Sequence, residues 1–376
     1  MNQGSMTPAT IYAGHNMTEY LTAGRHWQGI PGIERTQKGR IYACWYSGGK
    51  TEEPGNVIVV EKSDDGESFT DGFLLVKHDD PMVRCFDPTM WIDPDGKLRL
   101  FWTQGYGFFD GRNGVWMAVS ENPDDDVPTF SEPRRIANGL MMNKPTVTSK
   151  GEWLMPCAIW TSDFSKAGED HAELAHEVLA NVYVSADKGE TFAWRGGVDM
   201  PDRAFDEHMV VELQDGRIWM LVRTCHGIGQ AFSSDGGITW ENADFSGHYG
   251  PNSRFFIRRL RSGRLLLVNH INPTYTVSPK GWNTRNNLMA MLSEDDGKTW
   301  IGGLMLDTRN EVSYPDGIED EDGNIYIVYD WQRYNAREIL YAKFTEEDIL
   351  EGRLVSKDSK LKVLINKATG DLIPLK

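Results

Sequence analysis

The sequence predicts an all-β fold, a six-bladed β-propeller built as one domain over residues 1–376, and three observations predict it. A tight glycine turn followed by a short apolar, β-branched or aromatic run occurs six times. A second motif, S-x-D-x-G-x-T-[FW], recurs out of phase with the first. No long amphipathic helix interrupts them, and repeats of this length mark propeller blades.

The turns come in order as Lys38-Gly39 before IYACWYS, Asp95-Gly96 before LRLFW and Lys150-Gly151 before WLMPCAIW. They continue as Asp215-Gly216 before IWMLVRT, Ser262-Gly263 before LLLVNH and Asp322-Gly323 before IYIVYD. Successive turn glycines stand 47 to 65 residues apart, one blade length each. Glycine supplies the positive φ that a tight hairpin turn requires, and the runs have strand composition. The segment just before each turn is then the innermost strand of its blade.

The second motif reads SADKGETF from Ser185, SSDGGITW from Ser233 and SEDDGKTW from Ser293. A degenerate copy, DDGESF, runs from Asp64 to Phe69 with Lys62 at the serine position, and a weaker echo ends at Thr129-Phe130. Asp accepts turn hydrogen bonds, Gly allows the bend, and the aromatic ring packs back between strands. The motif therefore holds outer hairpins and carries no catalysis. The remaining pieces are a tail over about 1–20, a helical candidate over 163–179 between blades three and four, and a closing segment over about 345–376. Within 344–352, Thr345 followed by Asp348 signals the start of one short helix.

Composition excludes several functions. A net charge of −16 argues against nucleic acid or anionic membrane as partner, since both need clustered Lys and Arg. It leaves room for a small anion held by a few local arginines. Cys44, Cys85, Cys157 and Cys225 form no C-x-x-C pair and no zinc spacing, so they read as free thiols, and no metal or other cofactor is called for. The opening MNQGSMTPAT has no apolar leader core and no stretch reaches membrane length. That gives a cytoplasmic expectation, or a secreted one where a signal peptide has been removed. Oligomeric state is not legible.

Inner strands of a propeller converge on an axial channel whose mouth serves as ligand site. The polar residues opening those strands are Glu34; Arg84 and Asp87; Lys144; Asp206, Glu207 and His208; Asn252 and Arg254; Tyr314 and Asp316. The far ends of the second strands return to the same mouth with Glu52 and Glu53, Arg223 and His226, His270, and Asp330 with Arg333; a further loop adds Arg285. Mixed Arg, Asp, Glu, His and Tyr at one mouth describe a carbohydrate site, with charges for the substituents and a carboxylate or phenol for glycosyl transfer.

At these residues the sequence resembles the sialidase (neuraminidase) superfamily and its bacterial Asp-box relatives, roughly from His26 to Phe344. In that family three arginines clamp a carboxylate, a Tyr paired with a Glu attacks the anomeric carbon, and a loop Asp supplies the proton. The resemblance implies that Glu207 in DEHMVVELQDGR is the paired acid and Tyr314 in VSYPDG the nucleophile. It implies clamp arginines at Arg223 in MLVRT and Arg285 in NTRNNLMAMLS, and a partner acid at Asp330. The proton-donor loop falls on GGKTEEPGN, where Glu52 or Glu53 stands for Asp. One position departs: the family's R-I-P segment is Gly29-Ile30-Pro31 here, so the first arginine is absent. Arg84 and Lys144, on neighbouring blades, are the candidates to restore its charge.

Three functions remain open on this reading. The first is a retaining, exo-acting glycosidase on an acidic or decorated glycan. Tyr314 is its nucleophile, Glu207 its base and Glu52 or Glu53 its acid/base. Arg223, Arg285, Arg254, Arg84, Asp87, Lys144, His208, His270 and Asp330 hold the substrate. The second is a uronate-acting lyase or His-dependent glycosidase using His208, His226 or His270. The third is a glycan-binding propeller without catalysis.

Overall fold

The computed structural model describes residues 4–14, 21–108, 110–161, 168–271 and 284–371. Blade one comprises β1 (Thr10–Ala13), β2 (Trp27–Arg35), β3 (Ile41–Gly48), β4 (Val57–Ser63) and β5 (Leu74–Lys77). Blade two is β6 (Val83–Ile92), β7 (Leu98–Tyr106), β8 (Gly114–Ser120) and β9 (Arg134–Asn138). Blade three is β10 (Thr146–Val147), β11 (Trp153–Ala158), β12 (Ala180–Ser185) and β13 (Ala193–Val198). Blade four is β14 (Arg203–Glu212), β15 (Ile218–Thr224), β16 (Gly227–Ser233) and β17 (Glu241–Tyr249). Blade five is β18 (Phe256–Arg259), β19 (Leu265–His270), β20 (Leu288–Ser293) and β21 (Ile301–Asp307). Blade six is β22 (Val312–Glu319), β23 (Ile325–Trp331), β24 (Glu338–Phe344) and β25 (Lys360–Lys367). Every sheet is antiparallel, and every blade draws its strands from one continuous stretch of chain.

The six turn glycines hold one geometry. Their φ values lie between 80° and 104° at Gly39, Gly96, Gly151, Gly216, Gly263 and Gly323. In each, the glycine N–H donates to the carbonyl three residues back, as Gly96 does to Asp93 at 2.9 Å. At five of them a Cβ would meet nothing within 4 Å, so torsion alone demands glycine there.

The second motif closes the outer hairpins as expected. Asp235 Oδ1 accepts the N–H groups of Ile238 and Thr239 at 3.0 and 2.9 Å, and Ser233 Oγ donates to it at 2.8 Å. These bonds pull the Asp235 carboxyl far below the usual range, the Thr239 side chain first among them. In the degenerate copy Ser63, not Lys62, fills the serine position, donating to Asp65 at 2.9 Å. In blade two Asn122 replaces the acid, accepting from Ser120 and Thr129.

Apolar packing lies in wedges between neighbouring blades. One joins blade six to blade one through Ile33, Trp45, Ile318, Tyr326 and Val328, all nearly inaccessible. The ring closes here without strand exchange. β2 packs on β22 and β23, and the C-terminal residues lace back, Thr369 N–H to Thr22 O at 2.7 Å and Gly370 N–H to Arg25 O at 3.0 Å. Two terminal expectations are refined: the N-terminal tail supplies β1, a fifth strand on the outer edge of blade one, and the closing segment supplies β25. The short helix, α1 (Glu346–Glu351), starts in a Thr345/Asp348 capping box. The 163–179 candidate is a 3₁₀ segment, Gly168–Glu177, broken at His171, and its first residues lie outside the described ones. Among the described residues no helix is long and apolar enough to cross a membrane.

Candidate active site

Counting nine residues back from each turn glycine gives Ile30, Asp87, Met142, Glu207, Arg254 and Tyr314. All but Arg254 line a single axial pocket of about 440 Å³. Four of them hold left-handed torsions, with φ of 61° at Ile30, 48° at Asp87, 40° at Glu207 and 57° at Tyr314. Each sits where the inner strand slips register against its neighbour. Such bulges re-aim one side chain out of the pleat, here toward the axis. Left-handed backbone at a non-glycine residue costs about 1–3 kcal/mol and persists where packing over-determines it. These four residues that face the pocket thus carry backbone strain.

At the pocket wall Tyr314 donates its phenol proton to Glu207 Oε1 at 3.1 Å. Arg223 Nη1 donates to the same phenol oxygen at 3.0 Å and lies 2.5 Å from Glu207 Oε1. Burial raises the Tyr314 phenol above its ordinary value, Glu207 adds to the rise, and Arg223, Arg285 and Arg333 oppose it. The phenol is therefore neutral, with a carboxylate placed to take its proton. Asn252 braces two of the arginines: Arg223 Nε donates to its Oδ1 at 2.5 Å and Arg285 Nη2 to its carbonyl at 2.9 Å. Arg285 and Arg333 place their guanidinium carbons 5.3 and 5.0 Å from the Tyr314 ring centre.

Glu52 also lines the pocket, and it accepts Arg333 Nη1 at 3.1 Å. Asp87 lines the pocket too, its carboxyl pushed well up by burial and by Glu52 and Glu207. Arg84 lies between the Phe86 and Phe108 rings, 4.2 and 4.7 Å from their centres, and donates to Phe108 O. With Trp160, Phe205 and Met142 these rings form an apolar wall facing the charged one.

Other residues expected in the mouth stand elsewhere. Lys144 and Arg254 form the floor beneath the pocket. Lys144 Nζ lies 2.5 Å from Asp316 Oδ2 and donates to Ile33 O, while Arg254 bonds Asp316 Oδ1, Asn143, Met142 O and Pro31 O. Both cations are spent on one buried acid and on backbone carbonyls, so neither replaces the missing arginine. His208 is buried behind Glu207, bonding Asn181 O at 2.6 Å, and His270 bridges Asn286 O and Ser253. Burial lowers each imidazole to about 4, leaving both neutral. His226 faces Asp202 at 3.8 Å. Among the described residues no histidine lines the pocket, which removes the basis of the His-dependent reading. Glu53 turns into its own loop, accepting Lys50 N–H. Asp330 is buried behind the wall, accepting Ile30 N–H at 2.9 Å and Ser313 Oγ at 2.5 Å, and so positions the bulge of β2.

Sequence reading missed the aromatic wall and Met142, and it gave Arg333 no role. The nine-residue offset from each turn glycine would have found Met142. Arg333 follows β23 by two residues, and only folding brings it against blade one.

A family model described as a BNR repeat-like domain matches residues 39–327. No curated protein matches the chain. Among solved structures, a protein of unknown function from Dyadobacter fermentans has a TM-score of 0.61 at 17% identity, covering 87% of this chain and 94% of that one. The Hadza microbial sialidase Hz136 has a TM-score of 0.63 at 16% identity, covering 88% and 69%. The intramolecular trans-sialidase from Ruminococcus gnavus has a TM-score of 0.63 at 13% identity, covering 91% and 98%. At these identities the likeness shows the fold. The matched repeats span most of the ring, and the chain belongs to the BNR repeat-like family, folded as a sialidase-like six-bladed propeller.

Proposed function

We propose that the chain is a retaining glycosidase that removes a terminal acidic sugar from a glycan. The observation that carries this reading is the Tyr314–Glu207–Arg223 cluster, with 3.1 Å from phenol to carboxylate and 3.0 Å from guanidinium to phenol. Tyr314 Oη attacks the anomeric carbon as its proton passes to Glu207, forming a glycosyl–tyrosine ether. Glu52 gives a proton to the departing oxygen. It then takes one from a water that displaces the tyrosine, and the phenol recovers its proton from Glu207. A neutral phenol suits an anionic substrate because it approaches without the repulsion a carboxylate nucleophile would meet. Arg223 and Arg285 hold the acidic substituent, Asp87 and Arg84 meet ring hydroxyls, and the aromatic wall takes an apolar substituent.

The test uses aryl glycosides of N-acetylneuraminate and glucuronate. Tyr314→Phe removes the nucleophile and keeps the ring. Turnover should fall on the order of 10³-fold or more, with ligand affinity within a fewfold of wild type. Undiminished turnover removes Tyr314 from the mechanism.

A further inference from the structure

The trade between Gly29 and Arg333 points to a ligand group. Gly29 is not in the left-handed region, so torsion does not require glycine there. Space does. A Cβ at residue 29 would stand 2.1 Å from Arg333 Cδ and 2.6 Å from its Cγ. The stem of Arg333 thus fills the volume that any side chain on this part of β2 would need. The chain gives up a side chain on blade one and gains a guanidinium from the turn after β23 of blade six.

That guanidinium is held in place. Asp330 Oδ2 lies 3.7 Å from Arg333 Nε, and Glu52 Oε1 accepts Nη1 at 3.1 Å. The turn is fixed by Gln332 N–H to Glu311 O and Arg337 N–H to Gln332 O, at 2.9 and 2.8 Å. Thr51 and Tyr334 bond at 3.1 Å, a second link between the two loops. Burial works against the charge, but Asp330, Tyr314 and Glu52 outweigh it and keep Arg333 protonated more firmly than usual. Nη2 has no hydrogen-bond partner among the described residues.

Four guanidiniums line the pocket beside the carboxyl groups of Glu52, Glu207 and Asp87. This local excess of positive charge sits in a chain of net charge −16. We propose that Arg333, delivered from blade six into the space left by Gly29, completes an anion subsite with Arg223 and Arg285 for the substrate carboxylate. In the free protein Glu52 accepts one of the Arg333 N–H groups. Planar bidentate pairing is what a guanidinium offers a carboxylate, and a lysine at the same place would offer a point charge only. The inference rests on the acidic-glycan reading of the pocket and adds the residue that recognises the acid.

The experiment is calorimetric titration of N-acetylneuraminate and glucuronate, with N-acetylglucosamine as neutral control. It is run on wild type, Arg333→Met, Arg333→Lys, Gly29→Ala and the double variant Gly29→Ala/Arg333→Ala. Arg333→Met should weaken binding of the acids roughly ten- to a hundredfold and leave the neutral sugar unchanged, with Arg333→Lys between. Gly29→Ala should reproduce that loss by pushing Arg333 aside, and the double variant should lose no more than either single change. Acids that bind wild type and Arg333→Met equally overturn the assignment of Arg333 alone. Acids that bind no form overturn it together with the acidic-glycan reading. Because binding is measured, inactivity of Tyr314→Phe bears on neither outcome.

Discussion

Replacing Lys144 by methionine separates a floor residue from a ligand residue. Lys144 Nζ sits 2.5 Å from Asp316 Oδ2 and 2.5 Å from Ile33 O, and the two side chains are 1% and 0% exposed. Methionine keeps the length and the packing but takes the nearer of two cations from the Asp316 carboxylate, leaving Arg254 at 3.3 Å and Ile33 N–H at 2.9 Å as its partners. Removing one member of a buried ion pair costs about 3–5 kcal/mol, because the survivor stays desolvated. With an unfolding entropy of about 2.1 cal/mol/K per residue, a chain of this length changes by about 0.8 kcal/mol per degree, so the melting temperature should fall about 4–6 °C. Lys144→Met/Asp316→Asn should melt below the single variant, since the buried Arg254 guanidinium then loses the acid it pairs with. Circular-dichroism melting reads both, and titration with N-acetylneuraminate should show affinity unchanged from wild type. A Lys144→Met protein that melts like wild type and loses acid binding would refute the reasoning, because Lys144 would then belong to the pocket.

Two further expectations follow from single residues. Gly96→Ala and Gly297→Ala share a φ of 82°, but a Cβ at Gly96 meets nothing whereas one at Gly297 stands 2.5 Å from two atoms of the Trp219 ring. Urea unfolding should show about 1–2 kcal/mol lost at Gly96, from torsion alone, and at least about 1 kcal/mol more at Gly297, from overpacking; equal losses would contradict this account of the second motif. For His208, burial lowers the folded-state imidazole from 6.5 to about 4. Between those values the unfolded chain binds a proton that the fold refuses, so its contribution is lost as pH falls through that window. His208→Gln keeps a donor for Asn181 O and cannot titrate; it should gain up to about 3 kcal/mol on wild type between pH 7 and pH 4, and parallel pH profiles would deny the histidine this role.

The fold was legible because its signals are local. A turn that needs positive φ selects glycine wherever it occurs, and an Asp turn with a packed aromatic ring selects S-x-D-x-G-x-T-[FW], so six blades appear as periodic text. Glu207, Tyr314 and Arg223 were legible because each sits at a fixed offset from such a turn. By itself the sequence determined the blades, their order and the residues that open each inner strand. Tertiary structure decided which of those side chains face the pocket. Neither the bulges that rotate Asp87, Glu207 and Tyr314 inward nor the Asp316 charge that draws Lys144 and Arg254 beneath the floor is written in any one segment. Above all, the space at Gly29 that Arg333 fills joins residues some three hundred positions apart. Steric exclusion and charge pairing act through space, and only the closed ring brings blade six against blade one.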